Sequence, residues 1–198
     1  MSEVMISQRR PLSRQTVTAE EMVSRVERAL LTEVRLTPKP GLVDIRNAGA
    51  HRDMDLASFE ASTAAVAPWM EKFFIMGHDT ANITPEQVLT MLRPVGMACE
   101  TDMLEATGGV NTHRGAIFAF GLLSAAAGRL VARGEPVEQH RVCDRVARFC
   151  RGLVGRELSS PEGMKVSKGE GHFLRYGLSG ARGEAVSYTH LRAHETRR

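Results

Sequence analysis

A chain of 198 residues and 21.7 kDa is the size of one domain, and it can bury roughly 70% of its unfolded surface without disulfide or metal staples. Its 42% hydrophobic and 25% charged residues exclude wholesale disorder; three cysteines, Cys99, Cys143 and Cys150, with no CxxC pair exclude a disulfide framework and a Cys-rich zinc site and suit a reducing, cytoplasmic setting. The net charge of +3 falls to +1 without Ala185–Arg198, which holds Arg192, Arg197 and Arg198 against Glu195, so a basic surface interleaved with aromatics for nucleic acid is not indicated.

Residues 1–17 read as a flexible leader; the polar stretch Met1–Thr18 has no apolar centre for a secretory signal. Thr18-Ala-Glu-Glu21 has the spacing of a capping box. Met22, Val23, Val26, Ala29, Leu30 and Val34 follow at helical spacing, and the helix must end before Pro38. Residues 38–53 form an ordered, charge-rich loop. Asp55 caps a helix through Phe59, Ala61, Ala65 and Val66, where Pro68 either kinks it or starts a second turn. Thr84-Pro85-Glu86-Gln87 opens another helix with a capping residue and proline at the first helical position; Pro94 is expected to interrupt it before Val95–Thr107 continues. Gly108–Gly115 is a second loop, leading into the most apolar helix, Ala116–Val131. Glu135–Leu153 forms a further amphipathic helix, and Gly163–Glu184 allows one more helix and a turn. No alternating strand pattern occurs, so the chain reads as an all-α multi-helix bundle. No run of 18 apolar residues suggests a membrane span. The domain is taken as residues 18–184, with 185–198 a non-native or disordered tail.

The second loop can cradle an anion. Gly108 and Gly109 let backbone approach a ligand; Asn111 or Thr112 can cap the next helix, whose N-terminus favours negative charge; His113 and Arg114 add donors. An ordinary capped helix start fits the same pattern, and no Walker A spacing is present. The first loop carries Lys39 between two prolines, then Asp44, Arg46, His51 and Asp53. Cations there suit phosphate oxygens and carboxylates suit Mg²⁺ or a hydroxyl proton; a solvated surface loop is the alternative. On the next helix Asp102 and Glu105 share a face, while Glu100 lies about 200° from Asp102. That face could hold a metal or a general base, or simply be polar surface; Met97, Met103 and Leu104 suggest partial burial. Arg93 is a phosphate clamp or a surface charge. His78, His140 and His172 lack metal-ligand spacing and read as structural or exposed. Cys99 and most of the ten Met residues read as core packing.

At these loops the sequence resembles a known family. Thr37-Pro-Lys-Pro-Gly-Leu-Val-Asp44 with Gly49-Ala-His-Arg-Asp-Met54 is similar to the N-terminal signature of the triphosphoribosyl-dephospho-CoA synthases. Arg93–Glu100, Thr107–Phe118 and Gly180-Ala-Arg-Gly-Glu184 follow in the family's order, so the resemblance runs from about Val23 to Glu184. It implies an all-helical fold and a transferase using ATP and 3′-dephospho-CoA, with Mg²⁺ as companion and adenine released. The product would be the prosthetic-group precursor for the acyl carrier subunit of citrate lyase or malonate decarboxylase. Neither a nucleic acid nor a membrane partner is implied. Asp44, Glu100 or Asp102 would serve as base or charge stabiliser. Lys39, His51, Arg93, Asn111, Thr112, His113, Arg114 and Arg182 would hold substrate phosphates, and Asp53 and Glu184 a metal. Arg114 stands where the family commonly has Lys, replacing a point charge with a fork. The family's later Asn-Gly-Asp-Thr-Asn motif is absent, so the chain reads as an N-terminal part of the enzyme, or as a non-catalytic helical nucleotide-binding fragment.

Overall fold

The computed structural model describes residues 17–151, in which six helices and no strand occur. They are α1 (Ala19–Arg35), α2 (Leu56–Val66), α3 (Trp69–Asp79), α4 (Pro85–Ala106), α5 (Arg114–Ala132) and α6 (Gln139–Phe149). The capping box forms as the spacing predicts: Thr18 Oγ1 accepts from the Glu21 N–H and Glu21 reaches back to the Thr18 N–H. Asp55 caps α2 by accepting from the Ser58 N–H at 2.9 Å. Pro68 ends this segment and α3 begins at Trp69, so the proline separates two helices.

Three local expectations are corrected. Pro94 does not interrupt its helix; α4 runs unbroken from Pro85 to Ala106. Pro94 and Thr90, whose carbonyl loses its helical donor, are both exposed, so water can serve that carbonyl. At the start of α4, Thr84 makes no backbone cap; its hydroxyl donates to the Gln87 side chain at 2.9 Å. And α6 starts at Gln139 rather than Glu135, Pro136 having kept the intervening chain extended. The same helix ends at Phe149, with Cys150 as its C-cap, rather than running to Leu153; the segment Gly163–Glu184 lies outside the described residues.

α5 is the central helix. Its interior face is Ile117, Gly121, Leu122, Ala125, Ala126 and Leu130, all buried. α3 lies against it at backbone distance because two glycines face across the crossing. A Cβ on Gly77 would stand 1.9 Å from the Ala125 carbonyl oxygen, and one on Gly128 2.0 Å from that of Phe74. Phe73, Met70, Val66, Val88, Leu92, Cys99, Met103 and Phe149 complete the core around it. Beyond the crossing, Arg129 is buried and its guanidinium donates to the carbonyls of Thr80 (2.7 Å) and Ile83 (2.5 Å). Arg133 does the same for Ala81, so the α3–α4 turn is tied to α5.

Contrary to the sequence criterion, α5 is long and apolar enough to cross a membrane by length and composition; 56% of the relevant window is buried inside the bundle. Arg129 breaks the apolar run and hides this from a count of consecutive residues. In the bundle the helix serves as the core element.

Candidate active site

The first loop is organised by Asp44. This residue is buried, and its carboxylate accepts four hydrogen bonds: from Thr37 Oγ1 (2.8 Å), and from the backbone N–H groups of Lys39 (3.2 Å), Arg46 (2.8 Å) and Asn47 (3.0 Å). These donors, the Arg46 N–H foremost and the Thr37 hydroxyl next, hold its pKa down at about 2 against an ordinary 3.8. The loop therefore folds around an ionised carboxylate. The Thr37–Pro38 peptide is cis, and Gly49 has φ 60°, where a Cβ would meet the Leu42 carbonyl at 2.5 Å. Asp44 has its lone pairs committed to the loop, so it is less suited to proton transfer than its sequence position suggested.

Lys39 leaves this loop and turns back to the C-terminal end of α1. Its Nζ donates to both the carbonyl and the carboxylate of Glu33 at 2.9 Å. Glu33 also acts electrostatically on His113 at the start of α5, partly opposing the effect of burial on that ring. His51 and Asp53 lie further along the first loop with 3.9 Å between Nδ1 and Oδ1, both reachable by solvent.

The second loop turns on Gly108 and Gly109, at φ 63° and 90°, a left-handed pair that closes α4 through the Gly109 N–H to the Leu104 carbonyl at 2.7 Å. Neither capping candidate is the N-cap of α5, which is His113 with no side-chain cap; Asn111, two residues ahead, accepts from the Arg114 N–H at 3.1 Å. Thr112 instead donates to Ser62 Oγ of α2 at 2.7 Å, and Ser62 Oγ lies 2.7 Å from His113 Nδ1. His113 is buried, with Phe59 edge-on to its ring at a centroid distance of 5.0 Å. Burial lowers its pKa, so the ring is held neutral.

On α4, Glu100 and Asp102 diverge as their spacing requires. Glu100 pairs with Arg114 Nε at 2.9 Å. Asp102 accepts from the Trp69 indole N–H at 2.8 Å, and Lys72 sits over the Trp69 ring at 3.6 Å. Beside the Glu100–Arg114 pair, a cleft of about 270 Å³ opens between α3, α4 and α5. Phe73, Leu89, Leu92, Ile117 and Phe118 form its apolar walls, and Arg93, Met97 and Glu100 also line it. Of the acidic positions expected to be partly buried only Glu100 is so, Asp102 and Glu105 being exposed; Met97, 70% exposed, and Met91 depart from the reading of the methionines as packing, whereas Met70 and Met103 are sealed. Cys99 is sealed behind the acidic face, and burial pushes its thiol up to about 12, consistent with packing. His78 and His140 are exposed.

The described residues thus pair Lys39 with Glu33, join His113 to Ser62 and Thr112, and pair Arg114 with Glu100 beside the cleft that Arg93 lines. Arg182, Glu184 and His172 lie outside the described residues. Among the described residues no three His, Cys, Asp or Glu side chains converge as metal ligands. Sequence reading missed Glu33, Ser62 and Trp69. Glu33 did carry a signal, an acid in the last turn of a helix where the dipole disfavours it. So did Ser62, a polar residue on the stripe Phe59, Ser62, Thr63 and Val66 that faces the core.

The sequence profile of the ATP:dephospho-CoA triphosphoribosyl transferase family matches residues 19–192, reaching into the segment 185–198 set apart by composition. The chain is 80% identical over 187 residues to the 2-(5''-triphosphoribosyl)-3'-dephosphocoenzyme-A synthase of Klebsiella pneumoniae, covering 94% of this chain and 62% of that protein. It is 62% identical over 188 residues to the synthase of the same name from Escherichia fergusonii, with the same shares covered. With the synthase of Pectobacterium atrosepticum it shares 55% identity over 163 residues, 82% of this chain and 54% of that one. The chain therefore spans less than two thirds of the length of these curated relatives. No solved structure matches it.

Proposed function

The chain belongs to the ATP:dephospho-CoA triphosphoribosyl transferase family, and from that premise we propose that it serves the transfer of the triphosphoribosyl unit of ATP to the 2′-hydroxyl of 3′-dephospho-CoA, with release of adenine. The product would feed the acyl carrier subunit of citrate lyase or malonate decarboxylase.

In this reaction the bond from the ribose anomeric carbon to adenine breaks and a bond to the 2′-oxygen forms. Positive charge develops on the sugar, and the attacking hydroxyl must lose its proton. The observation that carries the proposal is the placement of Glu100 at the mouth of an apolar cleft, 2.9 Å from Arg114 and with Arg93 also lining the cleft. A carboxylate and two guanidinium groups around one opening can treat both ends of such a substrate. Glu100 would take the hydroxyl proton and face the developing sugar charge. Adenine would leave with the electron pair of the broken bond and take up a proton from solvent. Asp102, held by the Trp69 indole, and Asp44, committed to the first loop, would be supporting groups.

The triphosphate stays on the transferred sugar throughout, so its anchors must hold before and after transfer. Arg93 and Arg114 supply planar, bidentate donors. Lys39, His113 and the N-terminus of α5 supply the remainder, and Asn111 and Thr112 fix the loop that presents them. His51 and Arg182 are assigned to the same task. Mg²⁺ would enter with the phosphates rather than on a protein site, with Asp53 and Glu184 the carboxylates proposed to meet it.

The test is to incubate the protein with ATP, Mg²⁺ and 3′-dephospho-CoA and to follow free adenine by mass spectrometry. Adenine release that needs dephospho-CoA is expected, with Glu100→Gln slower by roughly 10²–10⁴-fold, the range for losing a general base. Binding of both nucleotides without any adenine would instead favour a helical nucleotide-binding module.

A further inference from the structure

Ser62 has no counterpart in the sequence motifs, yet it is fully buried and bonded to two residues of the second loop. We propose that Ser62 is a positioning residue: with Thr112 it forms a hydroxyl relay that fixes His113 as the tautomer protonated on Nε2, so that the ring offers a neutral N–H donor to the substrate polyphosphate. The role in binding rests on the function proposed above; the tautomer does not.

A hydroxyl has one proton to donate and two lone pairs. Thr112 Oγ1 donates to Ser62 Oγ at 2.7 Å. Ser62 must then place its own proton. Its neighbour Thr63 back-bonds to a helix carbonyl, Phe59 O, at 2.8 Å, but Ser62 has no such bond among the described residues. The remaining acceptor is His113 Nδ1 at 2.7 Å. A buried hydroxyl left without an acceptor would be costly, so with Thr112 as the donor to Ser62, Nδ1 presents its lone pair and the ring proton sits on Nε2. This order makes Thr112, Ser62 and His113 a one-way chain of donors.

Two further contacts hold the residue in place. Phe59 meets the ring edge-on, with the planes at 85°, and the backbone N–H of His113 donates to Met103 Sδ at 3.2 Å, which fixes the residue's main chain. Nε2 lies on the side of the ring away from α2. It has no hydrogen-bond partner among the described residues. This ring stands at the N-terminus of α5, next to Arg114. A neutral donor suits this place, since it binds phosphate oxygen without surrendering a proton to it.

The experiment is long-range ¹H–¹⁵N correlation of the histidine rings in the whole chain, with His113 assigned by its loss in His113→Gln. In the parent, Nδ1 is expected unprotonated and Nε2 protonated. Ser62→Ala should mix the tautomers and Ser62→Thr restore the parent pattern. An Nδ1-protonated ring in the parent, or a Ser62→Ala spectrum equal to the parent's, overturns the relay. ATP is then titrated into the same samples. The His113 Nε2 signal should move in the parent and in Ser62→Thr, with about tenfold weaker binding in Ser62→Ala, the loss of one bond to a charged group. ATP binding that leaves the His113 ring unmoved overturns its role as a donor. Failure to bind ATP at all overturns the function proposed above, while the tautomer is decided by the first spectra alone.

Discussion

Replacing Gly77 by alanine should unseat α3 from α5. The added Cβ would lie 1.9 Å from the Ala125 carbonyl oxygen, 2.5 Å from its carbon and 2.6 Å from its Cα. All three are backbone atoms, so no rotamer change relieves the overlap. The helices must separate by about 1 Å, and a gap of that size forfeits a quarter to a half of each contact well across it. Met70, Phe73 and Phe74 are the side chains that lose contact. Overpacking of this kind costs roughly 3 kcal/mol, offset by about 1 kcal/mol of gained helix propensity. The net loss of about 2 kcal/mol corresponds to a melting temperature about 4–8 °C lower in a domain of this size. Circular dichroism melts measure it, with Gly115→Ala as control. Nothing lies within 4 Å of a Cβ at Gly115, so that variant keeps only the propensity gain and should melt at or slightly above the parent. Gly121→Ala should fall between them, because its Cβ meets the Phe73 ring at 2.8 Å and a ring can move. That movement would also narrow the cleft, so adenine release should fall more than stability does. A Gly77→Ala protein melting at or above the parent would refute the reasoning.

Asp44→Asn should change how stability responds to acid. The folded pKa, about 2, lies below the ordinary 3.8, so the unfolded chain binds more protons between these values. The stability contributed by the carboxylate is present above pH 3.8 and is lost as the pH falls towards about 2. Urea unfolding across that window should show a shallower slope in the variant, and an unchanged slope would count against Asp44 as the loop's organising charge. Arg129→Met should destabilise the α3–α4 turn, since it strands the Ile83 carbonyl and leaves the Thr80 carbonyl with the Ile83 N–H as its donor. At about 1–3 kcal/mol for a stranded buried group, less the relief of no longer burying a guanidinium, a drop in melting temperature of several degrees is expected. An unshifted melt would show that water replaces the arginine.

The helices, and the starts of α1 and α2, were legible because their causes are local. Thr18 with Glu21, and Asp55 with Ser58, meet their partners three residues away, and the apolar spacing of α1 and α5 is set by the helix repeat. The loops around Lys39 and His113 could be singled out for the same reason: two prolines and a cluster of charges mark one, two glycines before an apolar helix mark the other. Pro94 misled because the cost of a proline depends on where its missing hydrogen bond points, and here it points to solvent. The length of α5 as an apolar helix was hidden by Arg129, whose charge is met by carbonyls from a turn some fifty residues earlier.

The tertiary structure alone decided which candidates work together. Ser62 and His113 are 51 residues apart, Trp69 and Asp102 33 apart, and no local pattern records such pairings. It turned Asp44 from a candidate base into the centre of its loop, gave Lys39 to Glu33, and set Glu100 beside Arg114 at the cleft. The sequence by itself determined a helical bundle of this family and the two loops where phosphate chemistry is expected, since helix caps, turns and apolar repeats act over a few residues. Which carboxylate is left to act depends on donors supplied by distant helices, and those arrive only when the bundle closes.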